Sequence, residues 1–265
     1  METDSLTHIV ARAGDRFVGI PSEFVRKIVR TPPVIAIPSA PRHVRGMVRL
    51  GDRVMPLVDL RRHLALPTRL EEARDFAKIL DAREQDHRRW LEELEMSVRE
   101  YRPFTLQRDP TKCAFGRWYL ATTPEHATLT FTSLWRAIDE PHRRIHAIAD
   151  AVAEVVGQSD FKAARAIIER GKTRQLAALI DLFGQMRVVL RDESRELCLV
   201  FCRSSEWLAL SIDEVVSIEA LDERSTEPMP PWMANLGGKL FSHLTRRRNG
   251  DVVTVVEVGR LFETN

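Results

Sequence analysis

The sequence is short of everything that would mark a membrane, secreted or polyanion-binding protein. No stretch of its 265 residues approaches the roughly 20 consecutive apolar residues that cross a bilayer, so no direct membrane insertion is expected. The start, Met1-Glu2-Thr3-Asp4, is acidic and polar and lacks the basic and apolar regions of a signal peptide. A cytoplasmic location follows as the expectation. Cysteine is scarce, with only Cys113, Cys198 and Cys202. An odd number in a cytoplasmic chain argues against a disulfide framework. The formal net charge of +2 is too small to imply a nucleic-acid partner. One basic run, Arg246-Arg247-Arg248, abuts the hairpin-turn signal Asn249-Gly250 and reads as a solvated edge. Also missing are a His-Glu-x-x-His run, a glycine-rich phosphate loop and a Gly-x-Ser-x-Gly elbow.

What is present falls into three parts. Residues 1–67 and 187–265 carry short apolar runs broken by glycine and proline, the pattern of strands. Residues 68–186 are rich in Ala, Leu, Arg and Glu, with apolar residues at helical spacing. The outer parts resemble each other. Phe17-Val18-Gly19-Ile20 parallels Trp207-Leu208-Ala209-Leu210, and Met55-Pro56-Leu57-Val58-Asp59-Leu60 parallels Val253-Thr254-Val255-Val256-Glu257-Val258. Each later run follows a turn signal, Gly51-Asp52 or Asn249-Gly250. Two matches in the same order suggest two related β subdomains packed together, with the helical part inserted between them.

Three apolar stripes mark the helices. One runs Ala73, Phe76, Leu80, His87, Leu91, Leu94, Val98 and Tyr101; a second Ile138, His142, Ile145, His146, Ala149, Val152 and Val156. The third runs Phe161, Ala164, Ile168, Leu176, Leu179 and Phe183. Such faces bury against one another as a bundle. Pro141 suits the first turn of a helix, so a break is expected near Asp139-Glu140.

Histidines lie on two of these stripes. His142 and His146, four apart, share one face of a helix, and His87 faces inward from another. Burying three imidazoles without partners is unfavourable, and a shared metal resolves this. Cys113 offers a fourth donor, beside Gly116 and among Phe115, Trp118 and Tyr119. Three histidines and a thiolate suit zinc. Taken singly, each residue also reads as an ordinary core His or a small apolar Cys. Asp109 reads equally as an acceptor behind a ligand histidine or as a turn residue before Pro110. Cys198 and Cys202 read as core cysteines of one strand face. His8, His43, His63, His126 and His243 read mostly as surface residues, and Trp90, Trp118 and Trp135 as packing for the bundle.

Three pieces now identify the middle part: His87-Arg88-Arg89-Trp90, Cys113-Ala114-Phe115-Gly116-Arg117-Trp118-Tyr119 and Pro141-His142-Arg143-Arg144-Ile145-His146. In order and separation they resemble the chemoreceptor zinc-binding (CZB) family, a helical-bundle sensor module. The resemblance covers about 120 residues, and the Cys-x-Phe-Gly-x-Trp element is its most specific piece. It implies zinc as the cofactor and His87, Cys113, His142 and His146 as its ligands.

The flanking parts, through Val44-Arg45-Gly46-Met47-Val48 and Arg53-Val54-Met55-Pro56-Leu57-Val58-Asp59-Leu60, are similar to CheW-type adaptor domains. That resemblance implies an α+β fold of two small CheW-like β-barrel subdomains with an inserted antiparallel helical bundle. It implies the histidine kinase CheA and chemoreceptors as partners. Two departures touch the family's docking surface. Lys27 stands where the family often has Glu, and the family's Asn-Leu-Arg-Gly is set against Arg49-Leu50-Gly51-Asp52. The expectation is a non-enzymatic chemotaxis-type adaptor that senses zinc or oxidant and couples chemoreceptors to the kinase. The rivals are a scaffold with a purely structural zinc, and a zinc-dependent hydrolase. Four protein ligands would deny the hydrolase its open position.

Overall fold

The computed structural model describes residues 7–122, 128–221, 226–230 and 240–263; His126 lies outside them. The chain divides into two compact units. One joins Met1–Glu72 with Ser194–Asn265, and the other is Ala73–Glu193. The protein is a mixed α+β chain, with the described strands in the first unit and most of the helix in the second.

The first half of the β unit runs β1 (Thr7–Ala13), β2 (Arg16–Pro21), β3 (Val25–Arg30), β4 (Val34–Ile35), β5 (Val44–Leu50), β6 (Arg53–Asp59) and the short helix α1 (Leu60–His63). The second half runs β7 (Leu197–Arg203), β8 (Glu206–Ile212), β9 (Glu214–Ala220), β10 (Glu227–Pro228), β11 (Phe241–Arg246), β12 (Val252–Val256) and a closing helical turn, Val258–Leu261. These strands make two six-stranded sheets, ordered β10-β11-β12-β2-β1-β9 and β3-β7-β8-β6-β5-β4. If β1 to β6 are set against β7 to β12, the two orders are the same. The pairings agree as well: β2 lies parallel to β12 just as β8 lies parallel to β6. The repeat read from the sequence is therefore a repeat of topology.

The halves do not form one barrel each. Each sheet takes two strands from one half and four from the other, because the parallel pairings cross between halves. Among the described residues each strand order ends in two edges, so neither sheet closes. The main core, with Ile20, Leu60, Phe201 and Leu210 fully buried, draws on both sheets, while smaller clusters sit around Val48, Met55 and Leu57 and around Val10 and Val253. Tight two-residue turns set the register. Gly51 (φ +62°) joins β5 to β6, in the left-handed region that glycine occupies without strain.

Two sequence expectations change here. Arg45-Gly46 opens β5, and Arg49–Asp52 is the hairpin that ends it. Arg49-Leu50-Gly51-Asp52 thus lies in the turn and not ahead of the strand, and within β5 Arg45 pairs with buried Glu196 and lies 3.5 Å from Asp59. The triple-arginine run is not simply solvated. Arg247 is half-buried over the Phe17 ring and pairs with Glu219 at 2.6 Å and Asp251 at 3.2 Å.

The helical unit is built on α2 (Arg69–Arg99). Thr68 and Glu71 start it as a capping box. The Glu71 carboxylate accepts from the Thr68 N–H at 2.7 Å, and the Glu71 N–H donates to the Thr68 hydroxyl at 3.2 Å. Leu80, His87, Leu91, Leu94 and Val98 are buried on one face, as the stripe predicts. Tyr101 departs from it. The helix ends at Arg99, and Tyr101 takes a left-handed φ of +55° and is 73% exposed. There follow α3 (Ala114–Ala121), α4 (Leu129–Ala137), α5 (Asp139–Gly157), α6 (Phe161–Arg170) and α7 (Ala177–Glu193). The break between α4 and α5 falls at Ile138, with Pro141 in the first turn of α5.

A π-turn, Gly171–Leu176, joins α6 to α7. Ile168 and Leu176, eight residues apart, both stay buried. Gly171 sits where a Cβ would meet Ile148 Cδ1 at 2.3 Å, so α5 packs closely on this turn. No described helix is long and apolar enough to cross a membrane.

Candidate metal centre

Three chain segments bring His87, Cys113, His142 and His146 together. One donor atom from each lies within 4.8 Å of all the others. His87 comes from the middle of α2, Cys113 from the N-cap of α3, and His142 and His146 from successive turns of α5. The three histidines are 2–3% exposed. No other cluster of three or more such donors occurs among the described residues.

Each segment is held by its own local chemistry. The His87 Nδ1–H donates to the Arg83 carbonyl, 2.7 Å away, one turn back on α2. That bond fixes the tautomer and leaves Nε2 to face the cluster as an acceptor. Cys113 caps α3 by accepting the Gly116 N–H at 3.1 Å, and its thiol lies 3.3 Å from both the Pro110 carbonyl and His142 Nε2. Gly116 makes this possible. A Cβ there would lie 1.9 Å from the Pro110 carbonyl oxygen, so any side chain would push the loop off the helix end. Phe115 forms a wall, its ring centroid 4.5 Å from His142 and 5.7 Å from His87. Trp90 sits 4.9 Å from His146, and its indole N–H donates to the Gln107 carbonyl at 2.9 Å.

The buried polar atoms test whether a cation suits the site. His87 Nε2 and both ring nitrogens of His146 have no hydrogen-bond partner among the described residues. The Gln107 and Arg108 carbonyls lie near His146 but outside hydrogen-bond geometry. Buried nitrogens left bare are costly, which a bound cation would relieve. Burial holds all three rings neutral, and each crowds the next. His142 is pushed down to about 2 and His146 to about 4, first by burial and then by the neighbouring histidines. Burial likewise lowers His87. Neutral imidazoles are the ligand form. Burial raises the Cys113 thiol, partly opposed by the N–H groups of Gly116 and Phe115. A thiolate there therefore needs a cation beside it. Donor set, protonation and bare nitrogens all fit zinc.

Other residues read from the sequence fall elsewhere. Asp109 is a turn residue. Its carboxylate accepts from the Thr111 N–H at 2.9 Å and hydroxyl at 2.7 Å and makes no bond to a cluster histidine. Trp90 and Trp135 are buried and Trp118 packs beside them. Cys198 is buried, and burial raises its thiol to about 11, but Cys202 is only half-buried and points toward the Ser204 carbonyl. The outer histidines are not surface residues as expected: His8 is buried, His243 is half-buried, and His43 and His63 stack with ring centroids 4.4 Å apart. Sequence reasoning missed Arg83, although its place four residues before His87 is the signal for a helical carbonyl partner.

Comparison with known families agrees with the two resemblances read from the sequence. Residues 7–87 match the CheW-like domain, and residues 87–153 match the chemoreceptor zinc-binding domain, CZB. The second match contains all four clustered donors. The chain thus joins a stretch similar to a chemotaxis adaptor domain to a stretch similar to a zinc-binding one. Among solved structures, the scaffolding protein TtCheW from Thermoanaerobacter tengcongensis aligns over 97% of this chain and 87% of that one, at 8% identity and a TM-score of 0.44, too low to argue from. No curated protein matches the chain.

Proposed function

We propose that this chain is a non-catalytic, cytoplasmic signalling adaptor of the chemotaxis type. It binds one zinc ion through His87, Cys113, His142 and His146 and couples chemoreceptors to the histidine kinase CheA according to zinc or oxidant. The observation that carries the reading is the convergence of three buried histidines and half-buried Cys113 from three segments, with ring nitrogens that no described residue satisfies. The helical part, about residues 68–186 by sequence and Ala73–Glu193 by packing, is the sensor inserted into the adaptor. The flanking parts are the adaptor's two subdomains.

The residues divide the work. His87, His142 and His146 offer neutral nitrogens, and Cys113 offers the sulfur that an oxidant attacks. Arg83 orients His87, and Gly116 lets the Cys113 end of α3 close on the Pro110 loop. When bound, zinc would hold the sulfur as thiolate. Four protein donors leave no open position for substrate, which disfavours the hydrolase reading.

The test measures the affinity of the intact chain for a CheA–receptor complex in three states: zinc-loaded, chelated, and treated with hypochlorous acid. A sensor changes affinity between states. Equal affinity in all three reduces the zinc to a structural ion, and absence of binding in all three removes the adaptor reading.

A further inference from the structure

The two edge strands β3 and β9 occupy equivalent places in the repeated topology, each at the end of its sheet. They should therefore face solvent alike, and they do not. On β9 the charges are matched within the chain: Glu214 pairs with Arg12 at 2.8 Å and Glu219 with Arg247 at 2.6 Å. On β3 the charges are Arg26, Lys27 and Arg30, all exposed, and none has a partner among the described residues. Exposed apolar side chains lie among them, Ile28 at 40% and Phe24 just before the strand at 41%.

The strand is presented for pairing on its free side. β7 occupies one side, with Ile28 opposite Leu199 and Arg30 opposite Leu197. Backbone groups pointing the other way meet no strand among the described residues. Alternation puts Ile28 and Arg30 on one face and Lys27 on the other, so the cations flank the free edge above and below.

We propose that β3 docks an extended acidic segment of a partner protein, which adds to the sheet beside it as a further strand. Backbone hydrogen bonds would give the pairing its geometry. Glutamates or aspartates on both faces of the incoming strand would meet Lys27 and Arg30, and one apolar residue would cover Ile28. The chemistry selects an acidic partner, because the incoming charges find three unmatched cations here and only matched ones at β9. The inference does not depend on the metal centre.

The test uses the full chain and a fluorescein-labelled nine-residue peptide, Glu-Val-Glu repeated three times, followed by anisotropy. Three pairs acting together should make binding weaken roughly tenfold or more in Arg26→Glu/Lys27→Glu/Arg30→Glu, and weaken with added salt. The variant Val216→Ser/Ile218→Ser, on β9, adds no charge there and should bind like the parent. Amide exchange should show new protection at β3. Circular dichroism confirms that each variant folds, and Ile28→Ser provides a milder second probe that should also weaken binding. Any of four results overturns the proposal: no binding, undiminished binding to the triple variant, protection at the 246–248 turn instead of β3, or self-association of the chain through β3 that the peptide cannot displace. In the third case the peptide binds the basic turn, and in the fourth the β3 cations serve a second copy of this chain.

Discussion

Replacing Gly116 by alanine tests the metal centre without touching a proposed ligand. The added Cβ would lie 1.9 Å from the Pro110 carbonyl oxygen, 2.9 Å from its carbon and 3.0 Å from Thr111 Cα, all backbone. Backbone cannot swing aside like a side-chain tip, so the loop or α3 must move by about 1.1 Å to reach even the 3.0 Å floor of real contacts. Cys113 lies between the two and is held by both, through the Gly116 N–H and the Pro110 carbonyl. Its sulfur, 3.3 Å from His142 Nε2, is therefore displaced by a similar amount. Overpacking of this kind costs about 1–3 kcal/mol, and disturbing the support of a ligand weakens metal binding by roughly 10–100-fold. Competition against a chromophoric zinc chelator reads the affinity, and thermal unfolding with and without chelator reads the stability. Gly184→Ala is the control. Nothing lies within 4 Å of its added Cβ inside α7, so it should stabilise by about 0.5–1 kcal/mol. Unchanged zinc affinity in Gly116→Ala would refute the account of how Cys113 is positioned.

Elemental analysis should find one zinc per chain, greatly reduced in His142→Ala and unaltered in His126→Ala; two per chain, or none in metal-replete protein, rejects the four-donor site. The metal-free chain should lose stability as pH falls from about 6.5 toward 4. His146 is held down to about 4 against 6.5 unfolded, so the unfolded state takes the proton first. The loss for that group is on the order of 3 kcal/mol, and a flat urea-midpoint profile over that window would contradict it. Arg61→Ala should destabilise by about 3–5 kcal/mol, because it strands Asp213, 2% exposed and bonded through both oxygens at 2.7 and 2.8 Å; a loss below 1 kcal/mol in chemical denaturation would show the pair to be dispensable. Joining Glu72 to Ser194 by a flexible linker should leave a folded β-rich protein by circular dichroism, and an unfolded product would mean that the helical unit completes the core.

The elements that local periodicity determines were the legible ones. The stripes on α2 and α5 put Leu80, His87, Leu94, His142 and His146 inside, and the structure buries all five. The turn signals at Gly51 and Gly250 fell at hairpins for the same reason: a left-handed residue is a local requirement. What failed depends on residues far apart in sequence. No pattern within a strand tells β2 to lie beside β12 instead of a strand from its own half. Nor could the sequence foretell that His43 and His63 would stack, or that Arg247 would leave its basic run to pair with Glu219. The π-turn was not read from the sequence. A step of eight from Ile168 to Leu176 also fits an ordinary α-helical stripe, so the spacing carried no sign of the π-helical residues 171–176.

The points where the chain leaves and re-enters the β unit are each held by an arginine, Arg61 buried and Arg45 half-buried. Arg61, at the start of α1, bonds Asp213 beside β9, the Pro67 carbonyl at 2.6 Å, and Glu72 in the first turn of α2 at 2.7 Å. Arg45 pairs with Glu196, whose backbone carbonyl accepts from the Thr31 N–H at 2.9 Å where the chain returns. From Glu72 to His87 the chain is one uninterrupted helix, and 15 residues at 1.5 Å each make about 22 Å of it. The Arg83 carbonyl that orients His87 belongs to the same helix. Its first turn meets Arg61, which is bonded at once to Glu72 of that turn, to the Pro67 carbonyl and to Asp213. Nothing comparable exists for Cys113. Its α3 is eight residues long, and the chain before it, from Glu100 to Cys113, is neither helix nor strand. The two kinds of donor thus differ in the elements that carry them. Cys113 caps an eight-residue helix and is held between the Gly116 N–H and the Pro110 carbonyl, while His87 lies in the middle of a 31-residue helix and is held by the carbonyl one turn back.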